Sequence, residues 1–98
     1  MAANQCSSSS TNLIQTSWEV RTDYVEDVEG KCKGFRDSLN AKKFAGACHQ
    51  YNGWQCGEHG GPNKFRAVFD TGFFCNAGHV ESAWYEATKN HYGSINCH

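Results

Sequence analysis

Four side chains in this 98-residue chain could between them act on a phosphodiester: His49, Glu58, Arg66 and His79. A carboxylate and histidines can serve as general base and general acid, and an arginine can hold the charge of the phosphate. Their settings argue against a shared site. Glu58 falls in Gly57-Glu58-His59-Gly60-Gly61-Pro62-Asn63, a loop composition. His79 falls on the first turn of an expected helix, where the macrodipole opposes a positive charge, and is expected to pack against the adjoining loop. His49 reads as an outward strand residue, His59 as loop surface, His91 as a helix-end residue and His98 as terminal. His49, Glu58 and His59 have no spacing that fixes a metal geometry, so no metal and no other cofactor is expected. Glu26, Asp27 and Glu29 lie a turn or less apart on one helix. They form a solvated face and do not flank a cleft as glycoside hydrolysis requires. Gly60-Gly61-Pro62 lacks the lysine and the following helix of a phosphate cradle.

Six cysteines form the other chemical set: Cys6, Cys32, Cys48, Cys56, Cys75 and Cys97. They are widely spread and contain no CxxC pair, which disfavours a compact zinc site. An even count in a short chain reads as a disulfide framework. A single domain of this length buries only about two-thirds of its surface, so bridges of about 2–4 kcal/mol each matter to it. Disulfides imply a secreted, extracellular protein. Residues 1–5 contain no basic start and no apolar run. They are read as an expression start and flexible N-terminus ahead of one domain over 6–98. No stretch is long enough to span a membrane. The net charge is −1, which argues against a strong nucleic-acid or lipid-surface binder.

The element that organises the rest is a helix expected over 24–39. Val25, Val28, Cys32, Phe35 and Leu39 fall on one of its faces. Thr22 or Asp23 is the expected cap and Asn40 the expected end. Gly30 and Gly34 each weaken it by roughly 1 kcal/mol, so packing must hold it. Residues 7–10, four serines, read as a solvated lead-in. Residues 13–21 alternate, with Ile14, Thr16, Trp18 and Val20 on the buried side of a strand. Residues 44–56 read as a second strand with a bulge at Gly53, in preference to a hairpin turning at Asn52-Gly53. Residues 64–69 form a third strand with Phe65, Ala67 and Phe69 inward. Asn76 caps a second helix over 77–90, whose apolar stripe is Val80, Ala83, Trp84 and Ala87. Residues 94–97 suffice for a short final strand.

This order predicts an α+β fold with two helices on one face of a four-stranded antiparallel sheet, the split βαβ or ferredoxin-like arrangement. In its strand order 4-1-3-2, Cys97 comes beside Cys6, Cys48 beside Cys75, and Cys32 reaches down to Cys56. Cys32, Cys48, Cys56 and Cys75 could exchange partners among themselves, because geometry decides the pairing. The uncovered sheet face would carry Gln15, Glu19, Arg21, Tyr51 and Arg66, with His49, Gln55 and Val68. That face is the candidate binding surface. Trp18, Trp54 and Trp84 all fall on core faces, which counts against a carbohydrate-binding module.

The element order and the placement of Cys32 on the first helix, Cys75 before the second and Cys97 in the last strand resemble two fungal groups. One is the virally encoded smut killer toxin subunits; the other is the necrosis-inducing secreted proteins of the same topology. The resemblance spans residues 6–97. It implies a disulfide-bonded, non-enzymatic fungal effector or killer-toxin-like protein that acts on a host or microbial competitor, as a monomer or weak dimer. It carries over no catalytic residues. The order His49, Glu58, Arg66, His79, with Lys64-Phe65-Arg66-Ala67-Val68-Phe69 as an arginine-bearing strand, resembles small secreted guanyl-specific ribonucleases and supplies the alternative function. In those enzymes such groups stand on adjacent strands, whereas here a second helix stands where their last strands would run.

Overall fold

The computed structural model describes residues 4–10, 15–44, 46–50, 54–72, 74–89 and 91–97. Two strands come first, β1 (Gln5–Ser10) and β2 (Gln15–Thr22), followed by helix α1 (Val28–Leu39). A 3-10 turn at Lys42–Phe44 leads to β3 (Gln55–Glu58), β4 (Phe65–Gly72) and helix α2 (Ala77–Thr88). All strand pairs are antiparallel, in the order β1-β2-β4-β3. The α+β class with both helices against one sheet is as the sequence predicts.

The core lies between the sheet and the helices. Period two in β2 and β4 sends Trp18, Val20, Phe65, Ala67 and Phe69 inward, none more than 3% exposed. The helical period sends Val28, Cys32, Phe35 and Leu39 of α1 and Val80, Ala83 and Trp84 of α2 to meet them. Phe35 is the hub. Its ring lies 5.7 Å from Phe69, 5.8 Å from Trp84 and 6.3 Å from Phe65. The indole N–H of Trp18 donates to Thr71 Oγ1 at 2.9 Å, which accounts for a threonine in the core.

The fourth strand corrects the ferredoxin-like order. Residues 94–97 form no strand; side chains satisfy backbone groups over 92–97 in place of a ladder. Trp84 Nε1 donates to the Gly93 carbonyl, Asn4 Nδ2 to that of Tyr92, and the Cys97 N–H donates to Glu81 Oε2. The edge beside β2 belongs to β1, the serine run read as coil, in register from Gln5–Arg21 to Ser10–Thr16. Asn4 and Gln5 therefore belong to the fold and are not a flexible end; residues 1–3 lie outside the described residues.

Two other boundaries move. α1 starts at Val28, capped by Asp27 and not by Thr22 or Asp23. The Asp27 carboxylate accepts from the Gly30 N–H at 3.3 Å, and a Cβ on Gly30 would collide with that carboxylate. The glycine that weakens the helix thus makes room for its cap. Val25 is buried on the connection, where its N–H donates to the Asn63 carbonyl. The expected strand over 44–56 shrinks to β3 plus a single bridge, Gln50 to Thr71. Gln50 Nε2 donates to the Cys48 carbonyl at 2.7 Å and its Oε1 accepts from Asn40 and Arg36. Those bonds tie the segment to the end of α1. The expected bulge at Gly53 lies outside the described residues.

The disulfides are Cys6–Cys97, Cys32–Cys56 and Cys48–Cys75, which resolves the exchange left open between the last two. Cys6–Cys97 holds β1 to the C-terminal segment, Cys32–Cys56 holds α1 to β3, and Cys48–Cys75 closes the chain before α2. No helix among the described residues is long and apolar enough to cross a membrane.

Candidate functional site

No helix covers the other face of the sheet among the described residues, and the strand register builds that face row by row. Gln5, Arg21, Arg66 and Gly57 lie across the four strands in one row; Ser7, Glu19, Val68 and Gln55 form the next; Ser9, Ser17 and Asp70 form the third. Of the expected binding residues, Glu19, Arg21 and Arg66 come together here. Gln15 stands at the far end of β2, opposite Gly72. Tyr51 lies outside the described residues.

Arg66 is the centre of the face. Its Nε donates to Glu19 Oε2 at 2.6 Å, between side chains 34% and 31% exposed. That bond engages one of the guanidinium's three nitrogens. Arg66 lines two shallow grooves. One, of about 240 Å³, runs toward β1 past Ser7, Ser9, Ser17 and Val68. The other, of about 220 Å³, runs toward β3 past Gln55, Gly57, Glu58 and His59. Ser17 Oγ donates to Asp70 Oδ1 at 2.5 Å, fixing the third row. Arg21 stands directly across from Arg66. It is exposed, and its guanidinium has no hydrogen bond or ion pair among the described residues. Two like charges in direct cross-strand register are destabilising unless something offsets them; Glu19 does so for Arg66 only.

The four residues of the alternative activity divide between the two ends of β4. Glu58 and Arg66 are at its start. Glu58 is in register with Phe65 and Arg66 with Gly57, and both border the β3 groove. One Glu58 oxygen accepts the Asn63 N–H at 2.8 Å. The other pair is at the far end, where Gln50 bridges Thr71 and Cys48 is bonded to Cys75. His49 is exposed there. His79 closes a capping box: its N–H donates to Asn76 Oδ1 at 2.9 Å and its Nδ1 accepts from the Asn76 N–H at 3.2 Å. Its ring packs 4.9 Å from Phe44, in the 3-10 turn and not in the loop adjoining α2. Five residues of strand, at about 3.3 Å each, separate the two ends by roughly 17 Å. A single phosphate cannot bridge that distance.

His79 also lies beside the sulfurs of Cys48 and Cys75, with the three candidate ligand atoms within 4.8 Å of one another. The two sulfurs are bonded to each other, and a metal needs thiolates; the cluster is a packed disulfide. Of the tryptophans, Trp18 and Trp84 are buried. Trp54 is half-buried, with the Arg36 guanidinium 5.5 Å from its ring centroid.

Sequence reasoning missed Ser7 and Ser9 as parts of the face; Ser17 and Asp70 fall on it by strand parity. A run of identical serines shows no alternation, so β1 left no period-two signal. His59, expected as loop surface, shares the β3 groove with Glu58 and Arg66. The chain matches no family model, no curated protein and no solved structure.

Proposed function

We propose that this is a secreted, disulfide-locked interaction protein, a fungal effector or killer-toxin-like protein, that recognises its target with the open sheet face. The observation that carries this reading is the face itself. It is polar and uncovered, it is built on β2 and β4 in full register, and it keeps an exposed Arg21 unpaired beside Arg66. Three disulfides in so small a domain fit an oxidising compartment, and a face on two central strands flanked by the disulfide-anchored β1 and β3 is preorganised for binding. The partner's chemistry follows from what is left unpaired. Arg21 calls for a carboxylate on a host or competitor protein, as a planar fork suited to one.

A growth-inhibition or tissue-necrosis assay with oxidised protein tests this. Arg21→Glu is expected to lower activity at least about tenfold without lowering the thermal midpoint, because reversing a charge that a partner pairs costs about 1.4 kcal/mol or more. Asp37→Lys, an exposed change on α1, is expected to leave activity unaltered. Equal activity of Arg21→Glu and the unmodified protein would remove the face from the function.

A second reading, phosphodiester cleavage, keeps one observation in its favour: Glu58, His59 and Arg66 line the same groove. Glu58 is engaged with the Asn63 N–H and Arg66 with Glu19, so both groups already have structural partners.

A further inference from the structure

We infer that the cleft between the start of α1 and the end of α2 is a binding site for a phosphate or sulfate monoester. The cleft is on the helical side of the molecule, so it stands whether or not the open sheet face is the working surface. It has a volume of about 290 Å³ and is lined by Glu26, Lys31, Thr88, Lys89, His91 and Tyr92.

Three features of the lining point to a ligand. The first is Lys89. It caps α2 in the left-handed region, at φ 55, where glycine is the unstrained choice and a side chain is not. A lysine kept there at a cost in stability points to use of its ammonium. The second is Lys31. A cation at the end of a helix is ordinarily explained by the macrodipole, and that explanation serves Lys89 and His91 after α2. It fails for Lys31, which stands in the first turn of α1, the end that disfavours positive charge. Lys31 is half-buried, and its ammonium, like that of Lys89, has no hydrogen bond or ion pair among the described residues. Glu26 also lines the cleft but forms no ion pair with either lysine there. The third is Tyr92. Its hydroxyl oxygen accepts the Glu26 N–H at 3.0 Å, which leaves the phenol proton to be donated.

Two ammonium groups, an imidazole and a phenol O–H from separate elements therefore converge on one concavity. That is a donor set for a compact oxyanion. The Tyr92 ring, 4.9 Å from His91 and 6.4 Å from Tyr24, adds an aromatic wall. Tyr24 is 48% exposed. A monoester carried on a flat ring would gain from packing on that wall, as stacked bases do.

Titrations of the whole chain with phenyl phosphate, phenyl sulfate and inorganic phosphate, at constant ionic strength and followed by amide NMR, test the inference. At least one ester is expected to bind saturably, with shifts centred on Lys31, Lys89 and His91. It should bind several-fold more tightly than inorganic phosphate. The phosphate and sulfate arms distinguish the two esters. Lys89→Gly is expected to raise the thermal midpoint by relieving the left-handed lysine, while weakening that ester's binding about fivefold, the loss of one exposed ion pair. Lys31→Gln should weaken binding similarly with no gain in stability. Shifts that match a sodium chloride control would overturn the site. So would a Lys89→Gly variant that gains stability and keeps its affinity.

Discussion

β2 and β4 turn two unlike faces to the two sides of the sheet, and the contrast separates what holds the protein together from what it can offer a partner. On the covered side Trp18, Val20, Phe65, Ala67 and Phe69 are within 3% of complete burial and meet Phe35 and Trp84. On the open side Ser17, Glu19, Arg66, Val68 and Asp70 are half-buried, and their order comes from one ion pair and one hydrogen bond. The same backbone register sets both faces. A one-residue slip would exchange them, so the apolar face fixes the placement of the polar one. The energetics differ sharply. Burial on the inner face contributes kilocalories per side chain, whereas an ion pair about one-third exposed contributes little.

Changes on the two faces should separate in size. Phe35→Ala removes the ring that Phe65, Phe69, Trp54 and Trp84 all touch. It is expected to cost about 3–5 kcal/mol in denaturant unfolding. A loss under 1 kcal/mol would mean that the hub is not at Phe35. The smaller effect is on the open face. A double-mutant cycle of Glu19→Ala and Arg66→Ala is expected to give a coupling of about 0.2–1 kcal/mol that declines with added salt. A salt-insensitive coupling of several kilocalories would make the open face a structural element and erase the contrast.

How much of this the sequence discloses depends on which force shaped each segment. The strand at 15–22, the strand at 65–72 and α2 have strong periods because each buries one face, and they stand within a few residues of their predicted places. The cap at Asn76 was legible because a polar residue directly precedes an apolar helical stripe. β1 was not legible: Cys6 is its single core-facing hydrophobic residue, and pairing with β2 makes it a strand. The C-terminal segment was misread for the converse reason. Ile95 and Cys97 are buried at alternate positions, as in a strand, but Trp84, Glu81 and Asn4 satisfy their neighbourhood's backbone. The Cys6–Cys97 pairing survived the exchange of one edge strand for another because both arrangements bring the two chain ends together. On the open face Glu19, Arg21 and Arg66 follow from parity within strong strands. The lysine cleft does not, since Lys31 and Lys89 are brought together only by the packing of α1 on α2 and by a left-handed residue that no local pattern announces.

Cleavage of single-stranded RNA by oxidised protein, beside His49→Ala and Glu58→Ala, is the most direct measurement of whether these charged groups serve recognition and structure or join in one catalytic site. With His49 and His79 at one end of β4 and Glu58 and Arg66 at the other, no cleavage is expected from protein whose mass shows three disulfides. Cleavage that disappears in both variants would place His49 and Glu58 on one phosphate, contradict their separation, and make the protein a ribonuclease.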